Sequence, residues 1–288
     1  MKECPRIKII KEVDYMANVI INKETCIGCG LCVKDCSRNA IILVNEKAAV
    51  DLDLCNECSH CVAVCPEASV SMPDYDDEIF EYDADKLSLD PDNFLYFQKF
   101  RRSIRQFKDK DVEQDKLDKI IEAGRYSPTA SNRQLNRYII IRDKIDEVRD
   151  MAIKALYDMA NDTSLDMGGW SSYQKAWIQM YSDYKEKNID RLFFNAPQII
   201  VIVSEDKAGF AEVNGGLAAS RMELQANSMG LGVCYIGFFK RAVQYNSKIR
   251  ESMGMKDDED FILSFVLGYP NVKYQRTINR KKADVRFI

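Results

Sequence analysis

The arrangement of cysteines constrains this chain more than any other feature of its sequence. Eight of its ten cysteines fall between Cys26 and Cys65, in two runs with the same C-x2-C-x2-C-x3-C spacing. The second run starts 29 residues after the first, and short aliphatic segments flank both. This repeat predicts a strand, a cysteine-lined loop, a helical turn and a strand, formed twice. Because such a unit has almost no hydrophobic core, bound metal must hold its fold.

The spacing of the two runs is suited to iron–sulfur clusters. In a C-x2-C-x2-C-x3-C run, three thiolates bind one [4Fe–4S] cluster and the fourth binds the other cluster. Zinc is the alternative, although zinc sites use C-x2-C pairs separated by longer spacers. The only histidine, His60, lies between two cysteines and is expected to be a solvated loop residue. The crossing of ligands predicts one cluster on Cys26, Cys29, Cys32 and Cys65, and the other on Cys36, Cys55, Cys58 and Cys61.

Residues 16–72 resemble the two-cluster bacterial ferredoxins. Pro66 follows the last cysteine of the second run, as in that family, whereas Ser37 replaces the proline of the first. The proline shapes the chain after the ligand and does not bind iron, so both clusters are expected. Cys4 and Cys234 lie outside the repeat and are expected to be ordinary or buried thiols.

Charge and composition divide the chain near residue 90. Residues 1–90 carry 9 Lys+Arg against 18 Asp+Glu, and the remainder carries 32 against 27. An acidic linker follows Pro73, which predicts a first domain over residues 1–85 and a second over residues 91–288. No basic cluster dominates, so nucleic acid is not an expected partner.

Hydropathy gives no sign of a membrane protein. The longest aliphatic run, Ile199 to Val203, is far shorter than the ~20 residues that a membrane span needs. The first ten residues lack a sustained apolar stretch, so we expect no secretory signal and a cytoplasmic protein.

Apolar periodicity beyond residue 90 predicts alternating helices and strands. The helix from 215 to 229 carries small or apolar residues on several faces, which predicts burial all round. The aromatic segment from Tyr157 to Phe194 is irregular from 161 onward, and it could be a lid over a pocket or simply core. The predicted helices are 94–107, 114–123, 145–159 and 215–229, and the predicted strands are 137–141, 198–203, 232–237 and 261–268.

The second domain lacks the residues of several catalytic schemes. It contains no histidine, which excludes Ser–His–Asp and Cys–His pairs, and it has no G-x-G-x-x-G after a strand. Its notable segments are cationic or polar, and they suit a phosphate and a polar heterocycle. These segments are Arg101–Phe107, Ser127–Gln134, Gly230–Gly237 and the basic tail Arg280–Lys282.

Taken in this order, the four segments resemble the nitroreductase family of FMN proteins over about residues 92–288. The resemblance implies an α+β chain, in which a ferredoxin-like 2[4Fe–4S] domain precedes a three-layer α/β/α domain with a central mixed sheet. It implies that Arg101, Arg102 and Ser103 face the FMN phosphate and ribityl chain. Arg105 would lie near the pyrimidine edge, and Ile236 or Gly237 would offer backbone near the flavin N5.

The same resemblance implies an intertwined homodimer with FMN at its interface. The basic residues Arg280 and Lys282 would close on the phosphate. One loop would reach the FMN of the partner subunit, through Pro128, Thr129, Ala130 and Asn132. Leu135 stands where a proline often follows the glutamine of this loop.

The combination of cofactors predicts an oxidoreductase. Electrons from an external low-potential donor, ferredoxin-like or NAD(P)H, would pass through two [4Fe–4S] clusters to FMN and then to an electron-poor small molecule. Nitro compounds, quinones and enones belong to this class. A family offshoot that dehalogenates or consumes its own flavin is a second possibility, and a non-catalytic electron carrier or redox sensor is a third.

Overall fold

The structure, a computed structural model, describes residues 19–75 and 77–288. It divides into two compact units, one running to Leu87 and including Ala130–Arg133, and the other formed by the remaining residues. Cys4 lies outside the described residues.

The N-terminal unit consists of short elements around its cysteine loops. Strand β1 pairs with β4, and β2 pairs with β3, both antiparallel. The expected succession of strand, loop, helical turn and strand occurs twice, as the sequence predicts. The elements are β1 Ile20–Ile21, α1 Leu31–Asp35, β2 Ile41–Val44, β3 Lys47–Val50, α2 His60–Val64, β4 Val70–Ser71 and α3 Ala84–Leu87.

Equivalent positions of the two cysteine runs share a left-handed backbone. Each short helix follows a residue with positive φ, 76° at Gly30 and 62° at Ser59. Because these positions are 29 residues apart, the backbone repeats with the same period as the sequence. Two further pairs with positive φ have this offset, namely Gly28 with Glu57 and Asn39 with Ala68.

The second unit is built on one four-stranded sheet. Its order is β5-β6-β8-β7, and neighbouring strands pair antiparallel. A parallel bridge between Ser103 and Val233 makes the sheet mixed, and the α+β class is confirmed. The elements are α4 Pro91–Phe100, α5 Gln114–Arg125, β5 Asn136–Ile141, α6 Ile145–Asn161, α7 Gln174–Lys187, β6 Gln198–Ser204, α8 Ala211–Ser228, β7 Gly232–Tyr235, α9 Gly237–Tyr245, α10 Ser247–Ser252 and β8 Asp260–Gly268.

Strand β6 explains why this unit has three layers. Every residue of the strand is buried, so both faces of the sheet must be covered. Alternate residues point to opposite faces: Val201 belongs to one apolar cluster and Ile202 to the other. Helices α6, α7 and α9 supply the first cluster, whereas α5 and α8 supply the second.

Helix α4 is shorter than the sequence pattern predicts. Asp90 caps its start by accepting a hydrogen bond from the backbone N–H of Asn93 at 2.7 Å, with Pro91 at the first position. The expected extension to Phe107 is wrong, because Arg101 has ψ 135° and leaves the helix. The Ile104 N–H then donates to the Val233 carbonyl at 2.9 Å, so this segment runs along the sheet.

Two further expectations differ from the structure. The segment from 161 to 194, expected to be irregular, contains α7 and a 3-10 turn at Gly168–Tyr173. Helix α8 is not buried all round within one chain, because Val213 and Leu217 are exposed. No helix in the described ranges is long and apolar enough to span a membrane.

Candidate functional site

The eight cysteines of the repeat surround two separate cavities in the N-terminal unit. Each cavity is lined by three cysteines of one run and the fourth cysteine of the other run, which is the crossed arrangement expected from the spacing. Among the described residues, no three side chains converge as they would on a single metal ion. The first cavity is lined by Cys26, Cys29, Cys32 and Cys65, and the second by Cys36, Cys55, Cys58 and Cys61.

Backbone N–H groups point at several of these sulfurs. The Ala40 N–H donates to Cys36 Sγ at 3.3 Å, and the Ser69 N–H donates to Cys65 Sγ at the same distance. These two bonds are equivalent in the repeat, since both join a fourth cysteine to the residue four positions later. Such N–H···S bonds stabilise negative charge on a cluster and tune its reduction potential. The residues therefore fit iron–sulfur clusters.

Burial and backbone donors act in opposite directions on the thiols. Hydrogen bonds from the backbone of Ala48 and Gly28 lower the pKa of Cys26. Burial raises the pKa of Cys32 and Cys55, and it raises the pKa of Cys61 to about 11. A bound cation is therefore needed to hold the Cys61 thiolate at neutral pH. His60, by contrast, is exposed, with Nδ1 3.0 Å from Asp35 Oδ2.

In the second unit, Arg101 lies against an acidic residue that sequence reasoning missed. Arg101 Nη1 donates to Glu223 Oε1 at 2.7 Å, and the Glu223 side chain is 7% exposed. Glu223 belongs to the buried face of α8, whose other residues are small or apolar apart from Asn214. A single carboxylate on such a face was the sequence signal for a buried pair, because a buried charge needs a partner.

Arg102 has a free donor in the same segment. Its Nη1 donates to the carbonyls of Lys99 and Arg101, at 2.8 and 2.6 Å. Its Nη2 is buried and has no hydrogen-bond partner within the described chain. An unsatisfied buried guanidinium nitrogen is costly, and a phosphate oxygen would satisfy it. This orphaned donor fits an anionic cofactor group.

Ser103 and Arg105 lie beside β7 and its cysteine. Ser103 forms the parallel bridge to Val233, and Arg105 is exposed, with Cζ 6.0 Å from the centre of the Phe194 ring. Burial raises the pKa of the Cys234 thiol, and the nearby Arg105 opposes this effect. Cys234 is thus the buried thiol that the sequence predicted, next to two candidate cofactor-binding side chains.

The turn from β7 into α9 distinguishes Ile236 from Gly237. Ile236 is buried, and its N–H already donates to the Ser264 carbonyl at 3.0 Å. Gly237 starts α9, and a Cβ placed there would meet no atom of the described residues within 4 Å, apart from its chain neighbours and the backbone of its own helix. The open space at Gly237 therefore fits close approach of a ring to the backbone.

The loop from Ser127 to Gln134 has a tightly constrained backbone. Thr129 Oγ1 accepts a hydrogen bond from the Gln134 N–H at 3.0 Å, and Pro128 precedes this closure. Ala130 and Asn132 belong to the segment that groups with the N-terminal unit. There, Asn132 Nδ2 donates to the Glu57 carbonyl at 2.9 Å. The structure thus places Asn132 on the backbone of a cluster loop.

The basic tail is exposed. Arg280 and Lys282 are exposed in a stretch without regular secondary structure. Among the described residues, no hydrogen bond joins either residue to the segment from Arg101 to Arg105.

The aromatic segment before β6 combines core and surface residues. Trp177 is fully buried, Trp170 is half-buried and Tyr173 is exposed. All three pack on Phe238, with ring centres 5.1 to 6.5 Å apart. Because Phe238 directly follows Gly237, this aromatic cluster lies beside the open backbone position.

Comparisons with known proteins match two parts of the chain to different families. Residues 18–66 match the 4Fe-4S dicluster domain. Ferredoxin-1 of Chlorobaculum tepidum is 43% identical over 49 residues, which are 15% of this chain and 79% of that ferredoxin. The cysteine-rich part is therefore a two-cluster ferredoxin domain.

The remainder of the chain matches flavoproteins. FMN reductase (NADPH) of Bacillus subtilis is 24% identical over 172 residues, which are 59% of this chain and 62% of that reductase. This chain thus spans less than two thirds of that relative. A nitroreductase of Bacteroides fragilis, crystallised with bound FMN, superposes with a TM-score of 0.54 at 20% identity, covering 67% of this chain and 98% of that one. This likeness shows a shared fold. Residues 99–269, more than half of the chain, match the nitroreductase family model, and the chain belongs to the nitroreductase family.

Proposed function

We propose that this protein is an FMN-dependent oxidoreductase in which two [4Fe–4S] clusters supply electrons to the flavin. One observation carries the proposal: a nitroreductase-family unit is fused to a unit whose eight repeat cysteines form two crossed sets of four. A ferredoxin domain transfers single electrons, and a flavin accepts them singly and releases them in pairs. The fusion would therefore join a domain that delivers single electrons to a flavin site that transfers two electrons to an acceptor.

The cluster ligands in this proposal are the two sets of cysteines that line the cavities. N–H···S bonds to Cys36 and Cys65 would favour the more negative, reduced state of each cluster. The high pKa of Cys61 means that iron must displace a proton from this thiol during assembly.

Most of the residues that would hold FMN belong to the segment after α4, which runs beside β7. The orphaned Nη2 of Arg102, assisted by Arg101 and Ser103, would bind the phosphate and ribityl chain. Arg105 would place positive charge near the pyrimidine edge, where it stabilises negative charge gained on reduction. Gly237, whose surroundings are open, would let the N5 side of the ring approach the backbone. FMN itself supplies the hydride chemistry, so no protein nucleophile is required.

A homodimer would complete this site. Helix α8 exposes Val213 at 60% and Leu217 at 44%, and a second copy would cover these apolar side chains. Arg280 and Lys282 would then close on the phosphate, and Pro128, Thr129, Ala130 and Asn132 would approach the FMN of the partner subunit. Two copies per assembly is the expected state.

The electron donor and acceptor follow from the cofactors. An external ferredoxin-like protein would reduce the clusters, and NAD(P)H is a second donor, in line with the similarity to a reductase named for NADPH. The acceptor would be an electron-poor small molecule that stacks on the open face of the flavin, such as a nitro compound, a quinone or an enone.

Anaerobic purification followed by rapid-mixing spectroscopy tests the proposal. Iron, sulfide and FMN are quantified, the clusters are reduced with dithionite-reduced ferredoxin, and flavin absorbance is followed before and after an acceptor is added. We expect iron and FMN in the protein, reduction of flavin after the clusters, and reoxidation by nitro, quinone or enone acceptors. Protein without iron, flavin that stays oxidised, or reduced flavin that no acceptor reoxidises would contradict the proposal. The last result would favour an electron carrier.

A further inference from the structure

A cavity of about 200 Å³ opens beside the aromatic cluster of the second unit. It lies between the end of α6, the loop before α7 and the exposed side of α9. Its apolar wall consists of Met159, Leu165, Met167 and Trp170. Its polar wall consists of Asp166, Arg241, Gln244 and Tyr245. Apolar walls with a few polar groups are typical of small-molecule sites.

Arg241 is held in this cavity by stacking. Its guanidinium carbon lies 4.2 Å from the centre of the Trp170 ring, and its Nη1 donates to Gln244 Oε1 at 3.1 Å. A guanidinium stacked on an indole keeps its other in-plane N–H groups available as donors. Within the described residues, Arg241 forms no ion pair with a carboxylate. The cavity thus presents an oriented cation without a protein counter-ion.

The acidic groups around this cation already have other partners. Asp166 Oδ1 accepts from the Gly168 N–H at 2.9 Å. Asp162 Oδ2 accepts from the Tyr245 hydroxyl at 3.4 Å. Asp166 is nevertheless a negative charge on the cavity wall, and it opposes the binding of an anion.

The geometry of α9 relates this cation to the candidate flavin position. Gly237, Arg241 and Gln244 are spaced by four and three residues, so they share one face of the helix. At 1.5 Å per residue, Arg241 lies roughly 6 Å along the helix from Gly237. This distance is comparable to the length of a benzene ring with its two para substituents.

We propose that Arg241 binds the carboxylate of a planar, conjugated acceptor whose reducible group lies over the flavin, so that the substrate is an anionic electron-poor compound. This inference rests on the function proposed above. Trp170 and the apolar wall would contact the flat body of the molecule. The N–H groups of Arg241, with Gln244 beside them, would bind the carboxylate.

A pair of isosteric acceptors tests the inference. The kcat/KM values for 4-nitrobenzoate and for neutral 4-nitrobenzamide are measured with the holoprotein, its R241Q and R241K variants, and K248Q. Lys248 is an exposed residue of α10, so K248Q changes the same charge elsewhere. We expect the wild-type protein to prefer the acid by about tenfold or more, since hydrogen bonds to charged groups are the stronger class. The preference should disappear in R241Q, return in part in R241K and persist in K248Q.

A binding measurement that does not depend on turnover accompanies the kinetics. Benzoate is titrated into the protein while tryptophan fluorescence is followed, because both tryptophans, Trp170 and Trp177, belong to the aromatic cluster. Saturable quenching in the wild-type protein, weakened about tenfold or more in R241Q, is expected. Equal kcat/KM for the acid and the amide would overturn the inference, and so would benzoate binding that R241Q leaves unchanged. In either case, turnover of the amide would still support the proposed function. Failure to reduce these two compounds and every quinone and enone acceptor would instead contradict the proposed function.

Discussion

Arg101 donates from Nη1 to Glu223 Oε1 at 2.7 Å, across the space between the end of α4 and the buried face of α8. The arginine side chain is 31% exposed, whereas the glutamate is 7% exposed. The pair therefore fixes the start of the Arg101–Arg105 segment while leaving part of the guanidinium open to a ligand. It also places a negative charge next to the candidate phosphate site.

Removing Arg101 should destabilise the second unit. R101Q leaves Glu223 buried without its cation, and an unpaired buried polar group costs about 1–3 kcal/mol. E223Q should cost less, because the amide oxygen still accepts a hydrogen bond. Urea unfolding of FMN-free protein, followed by tryptophan fluorescence, measures both effects. The control is K154Q, which breaks an exposed pair with Asp158 and should cost no more than about 1 kcal/mol. An R101Q protein as stable as K154Q would show that the pair contributes nothing.

Losing one cysteine of the repeat should remove iron, whereas losing Cys234 should not. C61S deletes a buried thiol of the second cavity, so iron content should fall from about eight atoms per chain to about four. C234S removes a buried cysteine outside the repeat and should retain about eight. Iron and acid-labile sulfide are measured after anaerobic purification, and electron paramagnetic resonance of the reduced protein reports each cluster. Equal iron in the two variants would refute the ligand assignment.

Two glycines of the first cysteine loop should differ in their tolerance of alanine. A Cβ on Gly28 would lie 2.0 Å from the Glu46 carbonyl oxygen, and its φ is +68°. A Cβ on Gly30, at φ +76°, would meet only Leu43 Cδ1 at 3.9 Å. Both substitutions carry the cost of a left-handed backbone, about 1 kcal/mol, but only G28A adds a clash with backbone. Iron content and visible absorbance should fall in G28A and stay near wild type in G30A, and the reverse order would show that this loop has a different shape.

Acid should weaken the contact between Glu113 and Tyr269. The Tyr269 hydroxyl donates to Glu113 Oε2 at 2.5 Å and, with the backbone N–H of Glu113 and Lys110, lowers the pKa of the carboxyl group to about 2. A group whose folded pKa is depressed adds stability above its unfolded pKa of about 4.5, and this stability is lost as pH falls toward 2.

The urea midpoint, measured between about pH 5 and about pH 2.5 in buffers of constant ionic strength, checks this expectation. E113Q should have a lower urea midpoint than wild type at about pH 5, and this difference in midpoint should become smaller as the pH is lowered. E251Q, which alters an exposed glutamate of α10, is the control, and the pH dependence of its urea midpoint should match that of wild type. The effect should be small, because Glu113 is exposed and screened by solvent. A constant gap between E113Q and wild type would rule out a titrating contribution.

The metal-binding unit was the most predictable part of the fold. Ligand spacing determines which cysteines share a cavity, so the sequence alone predicts that Cys65 joins the first run and Cys36 the second. Strand β6 was equally predictable from the sequence, since an unbroken aliphatic run of this length is typical of a strand buried on both faces.

Tertiary contacts decided what sequence patterns could not. The apolar spacing continues past Phe100, yet Arg101 leaves the helix because the segment after it bonds to β7. Helix α7 was missed because aromatic residues and methionine obscure its period. Glu223 was missed because its partner lies 122 positions away in the sequence. The placement of Asn132 on the Glu57 carbonyl likewise depends on contacts that a local motif does not contain.

The crossing of cysteines between the two halves of the N-terminal unit bears on its ancestry. A peptide containing one half would offer three thiols to its own cavity and one to that of a neighbour. It could complete a set of four cysteines around a cavity only by pairing with another such peptide, whose own cavity would be completed in the same way. Covalent duplication would therefore have made permanent an exchange of ligands that two short chains could already have carried out.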